Sequence, residues 1–164
     1  MRIIGIDPGY AIVGFGIIEY DGHFFDTIDY GAVTTSADTE FNSRLLEIYR
    51  DICDILDSYR PECMAIEKLY FTTNQKTAID VAEARGVVLL AAKQRNIDIY
   101  EYTPLQVKQS ITGYGKAIKK QVQEMTKNIL KLPGVPKPDD TADALAIAVC
   151  HGHSAGSRIK LTRG

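Results

Sequence analysis

The chain has 164 residues, of which 45% are hydrophobic and 24% are charged, and this composition predicts a single domain that folds on its own. No run reaches the roughly 18 apolar residues of a membrane span, and an aspartate stands where a signal peptide needs its apolar centre, so we expect a cytoplasmic protein without a membrane partner. Three cysteines without a CxxC spacing indicate neither a disulfide framework nor a zinc knuckle, so we expect reduced and mostly buried thiols.

The N-terminal part of the sequence predicts three strands and one helix. Residues 2–7 form a short apolar run that stops at a Pro-Gly turn pair, which predicts a strand ending at Asp7. Two further apolar runs flank an Asp-Gly pair, so the first three strands are expected to form an antiparallel meander. Over residues 39–58 the apolar positions recur every three to four residues, which indicates an amphipathic helix ending before Pro61.

Strands and helices alternate along the rest of the chain. They are a strand over CMAIE ending at Glu67, a long helix over 74–95, a strand over IDIYEY, a short helix from Pro104, a lysine-rich helix over 117–131, and a last helix that starts with Asp140 and Asp143. This order predicts an α/β fold whose mixed five-stranded sheet has three antiparallel strands and further parallel strands, with helices on both faces. We expect one domain over 1–155 and a flexible tail over 156–164.

Four acidic residues fall where this architecture brings distant parts of the chain together. Asp7 and Glu67 end two strands, and because parallel strands gather their carboxyl ends at one edge of a sheet, the two acids lie side by side if these strands are neighbours. Asp140 and Asp143 are spaced i and i+3, which places them on one helix face, whereas Asp139 is expected to point away. Converging carboxylates favour a hard cation, Mg²⁺ or Mn²⁺, and two such ions can hydrolyse a phosphodiester without a nucleophilic side chain.

Each of these acids also has a simpler interpretation. Asp7 can begin an Asx turn with the Pro-Gly pair, and Glu67 can cap an exposed strand end. The aspartates of the last helix can serve only to satisfy backbone N–H groups and the helix dipole. The joint placement of the four acids favours the metal site over these separate explanations.

Charge is distributed unevenly along the chain. Residues 1–60 hold four arginines against eleven acids, a net of −7, whereas residues 108–137 hold seven lysines against one glutamate, a net of +6. This asymmetry predicts a basic face that could receive a nucleic acid although the whole chain has a net charge of −2. The alternative is that these lysines are only the solvated side of a helix.

Five sequence blocks resemble, in order and spacing, the RuvC family of Holliday-junction resolvases: IIGIDPG, AIEKLYF, EARGVVL, QVKQSITGYGKA and KPDDTADALAIAVCH. The resemblance implies a ribonuclease-H-like fold, a homodimer, Mg²⁺ dependence, and paired symmetric nicks that resolve a four-way DNA junction. The family's catalytic and metal-binding acids fall on Asp7, Glu67, Asp140 and Asp143. The resemblance does not decide whether a branch-migration helicase complex is a partner, or which nucleotides are preferred at the cut.

The resemblance also implies residues that contact DNA. It places functional basic residues at Lys108 and Lys119, and an aromatic residue near the junction centre at Tyr70. Together with Lys116 and Lys120, these lysines can neutralise phosphates, and Lys119 is suited to stabilise charge in the transition state. An exposed tyrosine can stack on unpaired bases.

Several features leave alternatives open. Phe71 fits either a core position or a DNA contact, and residues 87–92 of the long helix fit either the core or the seam of a homodimer. Cys150, His151 and His153 suggest a soft-metal site, but they lack a second ligand pair, so we expect surface histidines instead. Asp139 departs from the small or neutral residue that the family has at that position.

Parts of the sequence also fit two functions other than a resolvase. GIDPGYAIVGFGII resembles the phosphate-binding hairpin of sugar kinases and actin-like ATPases, but those proteins enclose a nucleotide between two lobes, and 164 residues supply one. A non-catalytic module that binds junctions would keep the lysines and have no use for four converging acids. The acids therefore discriminate between an enzyme and a binding module.

Overall fold

The computed structural model describes residues 1–70 and 75–162, without the side chains of 75–76 and 157–162. The described residues form five strands and five helices in the predicted order. The strands are β1 (Arg2–Asp7), β2 (Ile12–Tyr20), β3 (Phe25–Thr34), β4 (Cys63–Glu67) and β5 (Asp98–Tyr102). The helices are α1 (Phe41–Tyr59), α2 (Gln75–Gln94), α3 (Pro104–Thr112), α4 (Lys119–Ile129) and α5 (Asp139–Thr162).

The five strands form one mixed sheet in the order β3-β2-β1-β4-β5. β1 pairs antiparallel with β2, and β2 pairs antiparallel with β3. On the other side β1 pairs parallel with β4, and β4 pairs parallel with β5. The predicted architecture is confirmed, and it places the carboxyl ends of β1 and β4 side by side.

Helices cover both faces of the sheet, and the side chains of β1 alternate between two cores because successive residues of a strand point to opposite faces. Ile4 and Ile6 lie in the core covered by α1 and α2. Ile3 lies in the core beneath α3, α4 and α5, together with Leu145. All of these side chains are fully buried, so β1 is held from both sides.

Glycines in β1 and β2 allow the backbone of α5 to lie directly on the sheet. A Cβ atom on Gly5 would lie 2.0 Å from the carbonyl oxygen of Ala144, and one on Gly14 would lie 2.0 Å from the carbonyl oxygen of Asp140. No larger residue fits such an approach without moving backbone. Gly14 is also the cross-strand partner of Asp7, so the first turn of α5 is seated beside the end of β1.

The C-terminal part of α5 is more buried than the sequence suggested. The prediction that His151 and His153 are surface residues is wrong: His151 is buried with its Nδ1 2.6 Å from Tyr102 Oη, and His153 is half-buried with its Nδ1 3.0 Å from Ser110 Oγ. α5 packs against both the sheet and α3, so side chains on more than one of its faces are covered. Because the two histidines contact different partners, the structure offers no support for the soft-metal alternative.

Three further expectations concern the end of the last helix, membrane spans and the cysteines. Helical backbone continues to Thr162, past the expected domain limit at 155, and the limits of the domain and the flexible tail stay predictions. None of the helices in the described part of the chain is long and apolar enough to cross a membrane. The three cysteines are buried free thiols, as expected.

Candidate active site

The four predicted acids come from two strand ends and one helix start. Asp7 is the last residue of β1 and Glu67 the last of β4, and the preceding residues of the two strands are paired in register. Asp140 and Asp143 lie in the first turns of α5, which rests on β1 and β2. All four side chains are half-buried. These elements therefore bring the four acids to the same edge of the sheet.

The electrostatics of Asp7 show how closely the acids are grouped. Burial, and then the negative charges of Glu67, Asp143 and Asp140, raise the pKa of Asp7 to about 8. A side-chain hydrogen bond with Asp140 acts in the same direction. Burial and the charge of Asp143 also raise the pKa of Glu67. Ionising all of these groups together is costly because like charges in a partly dry site repel.

Lys119 supplies positive charge at the helix end of this group. Its Nζ lies 3.2 Å from Asp143 Oδ2 and 3.6 Å from Asp139 Oδ2. Asp139 is thus exposed but does not simply point away, because it shares this ammonium with Asp143 and its Oδ1 lies 3.1 Å from Lys137 Nζ. Burial raises the pKa of Asp143, and Lys119 acts against that rise.

The donor set fits a hard divalent cation. Carboxylate oxygens are the ligands that Mg²⁺ and Mn²⁺ prefer, and a cation would relieve the repulsion that raises the pKa of Asp7. Among the described residues, no three Asp, Glu, His or Cys side chains converge closely enough to hold a metal ion as they stand. Metal binding would therefore require the carboxylates to turn toward the ion and Asp143 to exchange its contact with Lys119.

A cleft of about 550 Å³ joins part of the acid group to the predicted lysines. Glu67 and Asp143 line it, together with Lys108, Lys116 and Lys119. Its remaining wall is mostly apolar and comes from α3, α4, α5 and the loop before α4, with Val107, Ile118, Val122 and Ile147 among its members. Carboxylates and ammonium groups are thus presented to one space, which suits a phosphate bound through a cation.

The other predicted contacts lie around this cleft. Lys120 is exposed on α4 but does not line the cleft, so only its neighbour Lys119 faces the acids. Tyr70 lies three residues beyond the end of β4 and is 53% exposed, as a stacking side chain must be. Phe71 lies outside the described residues. Lys119 is therefore more than part of a solvated helix face, whereas both interpretations stay open for Lys120.

Sequence reasoning missed one residue that touches this site. Arg85 of α2 donates a hydrogen bond from its Nε to the main-chain oxygen of Glu67 at 3.2 Å. The only signal in the sequence was an arginine within EARGVVL, a largely apolar stretch of helix. A buried charged residue needs a hydrogen-bond or ion-pair partner, but the sequence around it does not identify which residue that partner is.

Comparisons with known proteins identify the family of this chain and agree with its fold. Residues 3–151 match the family model of the crossover junction endodeoxyribonuclease RuvC. The protein of that name from Ruminiclostridium cellulolyticum is 54% identical over 154 residues, which are 94% of this chain and 93% of the relative. Thermus thermophilus RuvC is 35% identical with a TM-score of 0.89, over 96% of this chain and 97% of that one.

A second solved structure, T. thermophilus RuvC in complex with Holliday junction substrate, is 33% identical with a TM-score of 0.87. It covers 94% of this chain and 95% of that one. The resemblance inferred from the five sequence blocks is confirmed by these matches. They extend over nearly the whole chain and over the elements that carry all four acids, and on that basis the chain belongs to the RuvC family of crossover junction endodeoxyribonucleases.

Proposed function

We propose that this chain is a cytoplasmic homodimer that resolves four-way DNA junctions during recombination and repair, by paired symmetric, Mg²⁺-dependent cleavage of phosphodiester bonds. The observation that carries the proposal is the grouping of Asp7, Glu67, Asp140 and Asp143 at one sheet edge, next to a cleft lined by lysines. A protein that only binds junctions would gain nothing from burying four acids together, because their repulsion has an energetic cost.

In this proposal Asp7, Glu67, Asp140 and Asp143 hold the metal. Two bound Mg²⁺ ions, or Mn²⁺ as substitutes, would supply a water nucleophile and stabilise the leaving oxygen. The chain itself provides the space for the DNA backbone, which is the cleft beside Glu67 and Asp143. The apolar wall of the cleft limits the amount of water around these acids.

The basic residues have separate tasks in the proposal. Lys108 and Lys116 line the cleft and bind the phosphates on either side of the cut. Lys119 leaves Asp143 when metal binds and then stabilises the charge that develops on the reacting phosphate. Lys120 and Tyr70 act further out, Lys120 on the DNA backbone and Tyr70 by stacking on an unpaired base.

Two symmetric nicks require two sites, and α2 offers the seam for a second copy. Its inner residues Val88 and Ala91 are fully buried in the core. Its outer side exposes Ile79 and Leu90, each by more than half of its surface. The two alternatives for this helix therefore apply to different faces, and we place the homodimer contact on the outer one. A branch-migration helicase complex is a further partner class compatible with this arrangement.

The proposal is tested by incubating the protein with a labelled four-way junction, a linear duplex and an RNA–DNA hybrid, each with Mg²⁺ and with EDTA. We expect paired nicks confined to the junction and lost in EDTA. Cleavage of the hybrid alone would assign the chain a ribonuclease H activity. Tight junction binding without any cleavage would instead make it a binding module.

Junction affinity is expected to fall steeply with salt, because Lys108, Lys116 and Lys120 displace counterions from DNA phosphates, whereas Lys119 stays paired with Asp143 in the absence of metal. Three such contacts imply a slope of about −2.7 per protomer in a plot of log affinity against log salt concentration. The preference for junction over duplex should survive, since it depends on shape. The measurement is fluorescence anisotropy in EDTA between about 50 and 200 mM salt. An affinity that stays flat over this range would contradict the role given to the lysines.

A further inference from the structure

Arg85 connects α2 to the ends of two strands. Its Nε donates to the main-chain oxygen of Glu67 at 3.2 Å, and its Nη2 lies 3.3 Å from Oε2 of Glu101 in β5. The side chain is only 13% exposed. The Nη2 contact with Glu101 is an ion pair without hydrogen-bond geometry, so the directional contact is the bond from Nε, by which the rigid planar guanidinium holds the end of β4.

The atom that Arg85 holds belongs to the last residue of β4. Glu67 pairs with Tyr102 at the end of the parallel ladder, and the following amide, on Lys68, donates to the Tyr102 oxygen at 2.8 Å. Beyond these contacts the chain leaves the sheet. The direction of the Glu67 side chain is set by its backbone, and Arg85 is the side chain that restrains that backbone from the α2 side.

The charged contact of Arg85 is made with Glu101, whose Oε2 lies 3.3 Å from Nη2. Its hydrogen bond to Glu67 goes to the main-chain oxygen and not to the carboxylate. The route by which Arg85 acts on the acid group is therefore the position of the Glu67 main chain.

We propose that Arg85 is a positioning residue, which holds the Glu67 backbone so that its carboxylate is presented correctly to the divalent cation. The inference rests on the proposed role of Glu67 as a metal ligand. Partners that orient a metal ligand typically change metal affinity 10- to 100-fold when removed. A placement error of about 1 Å at a reacting group can also slow the reaction about 100-fold.

The test measures Mn²⁺ binding by calorimetry on the full chain without DNA, and junction cleavage separately. Arg85→Gln should weaken Mn²⁺ binding by about 10- to 100-fold. It should lower kcat while leaving the KM for the junction unchanged, because the lysines are untouched. Hydrogen exchange at the Lys68 amide should become faster, since its bond to Tyr102 lies at the loosened strand end. Arg85→Lys keeps the charge and one donor, so it should recover part of the lost affinity.

A double-mutant cycle distinguishes positioning from a general packing role. In a Glu67→Gln background, Arg85→Gln should cause no further loss of Mn²⁺ affinity, because the ligand through which it acts is already gone. A full additional loss in that background, or wild-type Mn²⁺ affinity and kcat in both Arg85 variants, would overturn the inference. Unchanged metal binding and cleavage in Glu67→Gln alone would overturn the metal role of Glu67, and with it the proposed function.

Discussion

Replacing Asp143 with asparagine is expected to remove junction cleavage while leaving junction binding intact. The substitution keeps the size of the side chain but removes a negative charge from a half-buried group that faces the cleft. Losing one preorganised group that stabilises transition-state charge typically costs about 10²- to 10³-fold in kcat, and loss of a metal ligand should cost at least as much. Binding depends on the lysines and should be unchanged or slightly tighter. Both quantities are measured on the same labelled junction, cleavage in Mg²⁺ and binding in EDTA.

Asp139→Asn is the matched control for this experiment. It lies on the same helix and contacts the same Lys119, but its carboxylate is exposed and also pairs with Lys137. An exposed ion pair contributes little because water screens it, so cleavage should stay within about tenfold of the wild type. Two results would contradict the assignment of Asp143: cleavage preserved in Asp143→Asn, or equal losses in the two variants. Loss of binding together with cleavage would indicate a folding defect or a phosphate contact.

The acid group could be predicted because its positions follow from local rules. Asp7 and Glu67 stand at the ends of apolar runs, and the spacing of Asp140 and Asp143 places them on one face of a helix. These steps used residues close together in sequence, where periodicity and turn chemistry are informative. The remaining requirement, that the two strands are neighbours, was a condition that the sequence left open, and the structure meets it because β1 pairs parallel with β4.

Other features depend on tertiary placement, which periodicity does not encode. Lys119 and Lys120 are adjacent in an evenly basic segment, yet only Lys119 reaches Asp143. The difference arises because successive residues on a helix point about 100° apart, and the packing of α4 on α5 selects one of them. The contact of Arg85 with Glu67 and the burial of His151 are decided in the same way.

The glycines of β1 and β2 show what a sequence signal can and cannot say. Gly5 and Gly14 interrupt β-branched runs, which is a recognised sign of a close backbone approach. Their sequence does not reveal which element approaches. The structure shows that it is α5, and this packing brings Asp140 to Asp7. The geometry of the site is therefore built partly by residues that carry no chemistry.

Replacing Asp7 with asparagine is expected to stabilise the metal-free protein at pH 8. Burial, together with Glu67, Asp143 and Asp140, raises the pKa of Asp7 to about 8, above the value of about 3.9 in an unfolded chain. The folded state therefore binds this proton more tightly, and its stabilising contribution is complete below about pH 4 and lost as the pH rises to 8. Asparagine avoids that loss, so the free energy of unfolding at pH 8 should be roughly 2–4 kcal/mol higher in the variant than in the wild type. This difference corresponds to a Tm increase of more than about 5 °C.

Thermal unfolding in EDTA at pH 8 and pH 5 checks both the sign and the cause of this effect. The advantage of Asp7→Asn should be largest at pH 8 and should shrink toward pH 5, where the wild type regains its proton. Asp21→Asn is the control of opposite sign, because hydrogen bonds from the backbone N–H groups of Phe24 and His23 hold the pKa of Asp21 below its usual value. Mg²⁺ should stabilise the wild type and not Asp7→Asn, because only the wild type keeps the full ligand set. A variant that is more stable yet inactive would show that the acid group is maintained for catalysis at the expense of stability. A lower Tm for Asp7→Asn at pH 8 would show instead that the four carboxylates do not repel one another in the folded protein.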